Sequence, residues 1–141
     1  METATKNRIT VETIVKAPVD KVWKSWNEPE HIMNWCHASD DWHAPASTND
    51  IRTGGTFSTT MAAKDGSYSF DFGGVYDNVK EHELIQYTMG DGRKVEVIFT
   101  REGNDTKVVE TFEAESTNPL EMQRSGWQAI LDNFKKYTES L

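Results

Sequence analysis

Cysteine is nearly absent from this sequence, and long apolar segments are missing altogether. The only cysteine among the 141 residues is Cys36, so the chain cannot form an internal disulfide. A single cysteine fits a reducing compartment, and we predict a cytoplasmic protein. No run of about 18 apolar residues occurs, which predicts that no helix spans a membrane. The N-terminal stretch METATKNRIT has no apolar core, so we expect no signal peptide.

Basic residues are also few: 15 Lys and Arg stand against 23 Asp and Glu, for a net charge of -8. Nucleic-acid binding depends on Lys and Arg that neutralise phosphates, so we predict no nucleic-acid partner. Aromatic residues, in contrast, are plentiful, with five Trp, six Phe and four Tyr. Large rings supply much buried area, so a chain of this length is expected to build the core of one domain.

The periodicity of apolar residues predicts one strand, two short helices, six strands and one long helix. Residues 8–18 alternate as in a strand, and Pro18 and Pro29 each mark the start of a short helix, where a missing N–H is tolerated. Alternating segments in residues 50–116 are separated by the turn sequences KDG, GDGR and GND, which is typical of hairpins. Residues 118–141 carry apolar positions at steps of three and four, as in a long amphipathic helix.

These elements predict an α+β fold. A curved antiparallel sheet of about seven strands, wrapped around the long C-terminal helix, would bury the apolar surfaces of both. Gly73 and Gly74 interrupt the longest strand pattern and predict a bulge or a sharp bend there. We expect residues 1–7 to be a flexible tail and residues 8–141 to form a single domain.

Reactive side chains are concentrated in the segment NWCHASDDWHAP, residues 34–45. Structural zinc sites, however, usually use two ligand pairs at short fixed spacing, and the other two histidines of the chain fall in unrelated segments, so we predict no metal and no cofactor. A nucleophilic Cys–His pair has poor geometry when the residues are adjacent, and no glycine-rich oxyanion turn follows. We interpret the segment as the polar lip of a cavity, without catalytic residues. The ligand candidates considered were Cys36, His37, Asp40, Asp41 and His43.

Glu110 is an acidic residue in an apolar pattern. By alternation it shares a strand face with Val108 and Phe112, which the predicted fold turns toward the helix. A carboxylate there needs a partner or has a raised pKa. The candidate partners are Gln123 and Arg124 on the helix, or a ligand. Alternatively, the strand is bulged or exposed at this point and Glu110 lies in water.

Several short motifs occur in an order that resembles the START-like, birch-pollen-allergen-like helix-grip superfamily. The details are similar to its branch related to the C-terminal domain of the activator of the heat-shock-protein-90 ATPase. The resemblance covers about residues 8–140, and the chain departs from it at Cys36-His37-Ala38, where many members have an aromatic residue followed by Gly-Pro. The motifs are APVDKVWKSW, EPEHIMNW, D-x-R-x-G-G-x-F (50–57), F-x-G-x-Y-x-x-V (72–79), L-x-x-Y (84–87) and G-W-x-x-x-L (126–131).

The resemblance implies a cavity between the sheet and the long helix, which in the wider superfamily binds lipids, hormones or polyketides. Some branches carry out cyclase-type chemistry, but the superfamily shares no catalytic motif. Three hypotheses follow: non-catalytic binding of an apolar or aromatic small molecule, a chaperone-associated interaction module, or an enzyme in which His37, His43 or Glu110 acts as acid or base. A chaperone or a second copy of the chain, as a homodimer, remains a possible partner.

The predicted lining of this cavity has four parts. Glu110 would be a polar anchor inside, and Trp35, His37 and His43 would lie near the entrance. The helix wall would consist of Trp127, Ile130 and Phe134. The sheet wall would consist of Phe57, Met61, Phe70, Phe72, Val97, Phe99 and Phe112.

Overall fold

The computed structural model describes residues 7–141. Residues 1–6, most of the predicted flexible tail, lie outside the described residues. Asn7 accepts a hydrogen bond through its carbonyl from the Ala114 N–H (2.8 Å). The elements are β1 (Arg8–Val15), α1 (Val19–Asn27), α2 (Pro29–Trp35), β2 (Trp42–Asn49), β3 (Thr56–Ala63), β4 (Ser69–Lys80), β5 (Leu84–Met89), β6 (Lys94–Glu102), β7 (Asp105–Glu113) and α3 (Leu120–Glu139).

All seven strands form one antiparallel sheet in the order β1-β7-β6-β5-β4-β3-β2. Strands β2 to β7 are joined as consecutive hairpins, and β1 pairs with the last strand, β7. The sheet curls around α3, and α1 and α2 follow the first strand as predicted. The predicted α+β helix-grip fold is therefore confirmed. Between residues 7 and 141, no helix combines the length and the apolar character needed to cross a membrane.

Six strands after the short helices were predicted, as observed, but β2 itself was not located, since we placed the strand segments in residues 50–116 and interpreted residues 34–45 as the lip of a cavity. The burial of β2 does not alternate, and Ala44 is its one fully buried residue, so no periodic pattern marks it as a strand. β2 lies at the edge of the sheet, where Pro45 can be accommodated although it lacks an N–H. The register shifts between His43 and Ala46, around this proline.

The glycine pair in β4 does not form the predicted bulge. Gly73 and Gly74 stay in register with β3, Gly74 also pairs with Met89 of β5, and the irregularity lies between positions 76 and 78. A Cβ atom would collide with the Phe57 carbonyl at Gly73 and with the Thr88 carbonyl at Gly74. The pair therefore permits a close approach of three strands, which helps the sheet to curl.

Helix α3 is fastened along the free edge of β1. Side chains from three positions on one side of the helix donate hydrogen bonds to carbonyl groups of alternate residues of the strand. Because these carbonyls face away from β7, they would otherwise have no partner in the sheet. The pairs are Arg124 with Thr10 (3.0 Å), Gln128 with Glu12 (3.3 Å) and Lys135 with Ile14 (2.8 Å).

An aromatic cluster holds the C-terminal half of α3 against α1 and α2. Phe134 contacts Trp26 and Trp35 edge-on, with ring centroids 4.8 Å and 5.0 Å apart. Phe99 of β6 contacts Trp23 and Trp26 at 5.2 Å and 5.8 Å. This half of the interior is filled, so any hollow must lie at the other half.

Candidate ligand-binding pocket

A hollow of about 320 Å³ lies between the concave face of the sheet and the N-terminal half of α3. Its volume is at the lower end of the range of small-molecule sites. Strands β3, β4 and β5 supply most of the sheet wall, and α1 and α2 contribute Trp26 and Ile32. The predicted residues that line the hollow are Trp35, Phe57, Met61, Phe70, Phe72, Glu110, Trp127 and Ile130.

Four other residues that we expected in the lining lie in the packed core instead. Val97, Phe99 and Phe112 alternate with outward-facing residues as predicted, but all three are buried by packing and do not line the hollow. Phe112 is 1% exposed and stacks on Trp127, with ring centroids 3.9 Å apart. Phe99 and Phe134 belong to the aromatic cluster, and Val97 is fully buried between β5 and β7.

The two histidines expected near the entrance do not line the hollow. His43 is exposed on the edge strand β2. His37 is half-buried beyond the end of α2, its carbonyl accepts a hydrogen bond from Asn133, and burial lowers its pKa. The side chains of residues 36–43 do not bring three ligand atoms together. Within residues 7–141, such a convergence occurs only at Glu28, Glu30 and His31.

Cys36 lines the hollow as a buried free thiol. Burial, and then the nearby Glu110, raises the pKa of this thiol to about 12. A nucleophilic cysteine requires the thiolate, so Cys36 is inert at neutral pH. Its position agrees with a small buried hydrophobe rather than with a Cys–His nucleophile.

Glu110 is held on β7 between Val11 of β1 and Val97 of β6. Glu110 is 6% exposed, and burial raises the pKa of its carboxyl from 4.5 to about 8. Across residues 7–141, no hydrogen bond or ion pair involves this carboxyl group. The interpretation that the strand is exposed or bulged at Glu110 is therefore wrong, because the β1–β7 and β6–β7 ladders run through it without a break.

The two helix residues considered as partners of Glu110 are engaged elsewhere. Arg124 faces β1 and also lies 3.7 Å from Glu121. The Gln123 amide accepts a hydrogen bond from the Glu115 N–H (2.9 Å) and donates to the Glu115 and Asn118 carbonyls. Gln123 therefore fixes the connection between β7 and α3 at the rim of the hollow.

Two tyrosines of the wall were not among the predicted site residues. The Tyr76 hydroxyl donates to Asn49 (2.6 Å), whose amide donates to the Asn27 carbonyl (2.7 Å). Burial, and then Glu110, raises the pKa of Tyr87 well above its ordinary value. A signal for both was present, because they occupy the tyrosine positions of F-x-G-x-Y-x-x-V and L-x-x-Y.

The rim has a charged side and an aromatic side. Arg93 pairs with Asp91 (2.8 Å) and donates to the Glu113 carbonyl (3.3 Å). On the other side Phe70 is 40% exposed, and its ring lies 5.9 Å from Tyr68 and 6.1 Å from Trp42.

This architecture is that of a START-like, helix-grip protein. It has a curled antiparallel sheet, a long C-terminal helix packed against the concave face of the sheet, and a hollow between the two. The family described as activator of Hsp90 ATPase homolog 1-like protein matches residues 16–139. This chain belongs to that family. No curated protein matches the sequence.

Solved structures of similar proteins share the whole fold. An AHSA1-like protein from Aeromonas hydrophila is 43% identical with a TM-score of 0.89, over 95% of this chain and 93% of its own. A protein from Cytophaga hutchinsonii is 65% identical with a TM-score of 0.82, over 94% and 92%. A protein from Nitrosomonas europaea has the same fold at 17% identity, with a TM-score of 0.83 over 99% of both chains.

Proposed function

We propose that this protein binds an apolar or aromatic small molecule in the hollow between the sheet and α3, without transforming it. The observation that carries the proposal is the hollow itself, about 320 Å³ walled largely by aromatic and aliphatic side chains within a well-packed fold. Protein interiors are normally filled, so a space of this size with mainly apolar walls and several polar groups toward its rim is typical of a ligand site.

The proposed contacts come from both walls. Phe57, Met61 and Phe72 would hold the ligand from the sheet, and Trp127 and Ile130 from the helix. Trp35 would close the inner end and the half-exposed Phe70 the outer rim. We further propose a cytoplasmic setting, for which the support is the single free thiol, Cys36.

The non-catalytic character of the proposal is supported by the arrangement of the candidate acids and bases. An enzyme of the third hypothesis needs His37, His43 or Glu110 within reach of one substrate position. Only Glu110 reaches the hollow, and the nearest nucleophile candidate, Cys36, is a neutral thiol. The other carboxyl of the lining, Glu115, accepts hydrogen bonds from Asn118 at the rim, so these candidates provide no acid–base pair beside Glu110.

The test is a titration of the intrinsic tryptophan fluorescence, since Trp26, Trp35 and Trp127 line the hollow. We expect saturable changes with at least one member of a panel of fatty acids, sterols and polyaromatic compounds. Ile130→Trp, which fills the hollow, should weaken binding measured by calorimetry. The matched control is Ile98→Trp, because Ile98 is 38% exposed and lies outside the hollow. Binding by no compound, or equal binding by both variants, would refute the proposal.

A second candidate function is suggested by the family description, which names an activator of the Hsp90 ATPase. On this proposal the chain is a chaperone-associated module that contacts Hsp90. A direct assay compares the ATPase rate of Hsp90 with and without a saturating amount of this protein. An unchanged rate dismisses the candidate.

A further inference from the structure

Most polar side chains around the hollow are already bonded to other parts of the protein. Asn49 and Tyr76 bond to each other, and Thr59 shares a hydrogen bond with Ser47 (2.9 Å). At the rim, Gln123, Glu115 and Asn118 bond among themselves, and Arg93 pairs with Asp91. These bonds hold the groups in the wall and occupy part of their hydrogen-bonding capacity.

The Glu110 carboxyl differs from all of these, because it faces the hollow with no hydrogen bond or ion pair in the described part of the chain. The strands on either side present only Val11 and Val97 beside it. The titratable groups that face it are the Cys36 thiol after α2 and the Tyr87 hydroxyl of β5, and burial raises the pKa of both. Both are therefore neutral, and neither supplies a positive charge. Two charged side chains also line the hollow at its rim: Arg93, which pairs with Asp91, and Glu115, which accepts a hydrogen bond from the Asn118 N–H.

A buried carboxyl without a partner is costly, and such groups in native proteins usually have a role. The partner that compensates a carboxylate best is a cation that donates charge-assisted hydrogen bonds. The indole rings of Trp26 and Trp127 line the same hollow, and aromatic faces also attract cations. A ligand carboxylate gains no ion pair from Glu110, and is repelled by it wherever that carboxyl is ionised, above about pH 8.

We propose that the ligand of this hollow is an apolar or aromatic amine whose ammonium group binds the Glu110 carboxylate. This inference rests on the proposed function and narrows it to a class of ligand. The apolar body of the amine would lie against Phe57, Phe72 and Trp127. Its ammonium group would point toward β7, where Glu110 accepts its hydrogen bonds and the Tyr87 hydroxyl can accept another.

Binding of an ammonium ion to Glu110 should release a proton, and the amount released should depend on pH. With the Glu110 pKa raised to about 8, the empty protein at about pH 7 holds a proton on roughly nine-tenths of these carboxyls. An amine arrives already protonated, so forming the ion pair moves the Glu110 proton to the solvent. We expect about one proton released per ligand at about pH 7, and much less at about pH 9, where Glu110 is largely ionised before binding.

The experiment compares phenylbutylamine, phenylbutanol and phenylbutyrate by calorimetry in buffers of different ionisation enthalpy. The amine should bind about 10- to 100-fold more tightly than the alcohol, and the acid most weakly. Glu110→Gln should remove this advantage and the proton release together. The control is Glu102→Gln, which changes an exposed carboxyl at the end of β6.

The outcomes separate the two proposals. Equal binding of amine and alcohol, an amine affinity unchanged in Glu110→Gln, or the absence of proton release in the wild type would each overturn the amine assignment. If fatty acids or sterols bind and the amine does not, the hollow is a ligand site and the amine assignment is wrong. If nothing binds, the proposed function fails as well.

Discussion

Replacing Glu110 by glutamine should stabilise this protein, and the gain should depend on pH. A carboxyl pKa raised from 4.5 to about 8 by burial corresponds to about 5 kcal/mol between its protonated and ionised forms. Between about pH 4.5 and pH 8 the folded protein holds a proton at Glu110 that the unfolded chain has lost. The contribution of Glu110 to the free energy of unfolding therefore falls as pH rises through this window, and is flat outside it.

Glutamine has the shape of the protonated carboxyl but does not ionise. The unfolding free energies of the wild type and Glu110→Gln should therefore be similar near pH 4.5. The variant should gain about 1.4 kcal/mol per pH unit above that, up to about 5 kcal/mol beyond pH 8. Urea unfolding followed by circular dichroism at several pH values measures this difference.

Cys36 and Tyr87, whose pKa values Glu110 raises, stay protonated up to about pH 8, so below that pH the difference between the two proteins isolates Glu110. Glu102→Gln, at an exposed position, serves as the control and should change the free energy of unfolding little. A wild-type-to-Glu110→Gln difference that is flat from about pH 5 to pH 9 would refute the reasoning. It would show that Glu110 has a compensating partner or remains hydrated in the folded protein.

Three further predictions concern packing and reactivity. Gly74→Ala should lower the free energy of unfolding by more than about 2 kcal/mol, because its Cβ would collide with the Thr88 carbonyl. A midpoint of thermal unfolding within a degree of the wild type would contradict this. Cys36 should resist alkylation at about pH 8 in the native protein and react quickly in urea, since its thiol is buried with a pKa of about 12. Rapid labelling of the native protein would show instead that the Cys36 thiol becomes exposed to solvent. Phe112→Ala should lower the free energy of unfolding by about 3–5 kcal/mol, and Phe70→Ala by about 1 kcal/mol or less, as measured by urea unfolding. Equal losses would contradict the placement of Phe112 in the core and of Phe70 at the rim.

Periodicity predicted most of the fold because most elements bury one face. The alternation in β5, β6 and β7 and the three-and-four spacing in α3 are direct consequences of burial on a single side. Strand β2 escaped prediction because it lies at the edge and buries only Ala44 fully. Its Trp42–Asn49 segment is held by pairing with β3, a contact that leaves no periodic trace in the sequence.

The lining of the pocket was predicted only in part, and the reason is geometric. Alternation shows that Phe57, Phe99 and Phe112 share the concave face, but it does not show which end of that face a helix covers. Phe134 and Trp127 lie on the same helix less than two turns apart, yet Phe134 packs in the aromatic cluster and Trp127 lines the hollow. The position of α1 and α2, which fill one half of the interior, decides between core and wall.

Alternation predicted that Glu110 shares the concave face with Val108 and Phe112, but it left open whether the carboxyl is buried or lies in water. Its burial and its lack of a protein partner came only from the structure. Two residues on α3 had the right chemistry to pair with it. The rotation of α3 about its own axis directs Arg124 to the Thr10 carbonyl, and the connection after β7 occupies Gln123. A helix can present any of its sides to the sheet, and only the packed structure determines which.

The hydrogen bonds from α3 to β1 also restrict how two copies of this chain can associate. Sheets extend from one molecule to the next through free carbonyl and N–H groups on an edge strand. On β1, the carbonyls of Thr10, Glu12 and Ile14 already accept bonds from α3. On β2, Pro45 lacks an N–H and α2 packs against the strand. A homodimer of this protein would therefore be built from side-chain surfaces, and not from a sheet continued across two molecules.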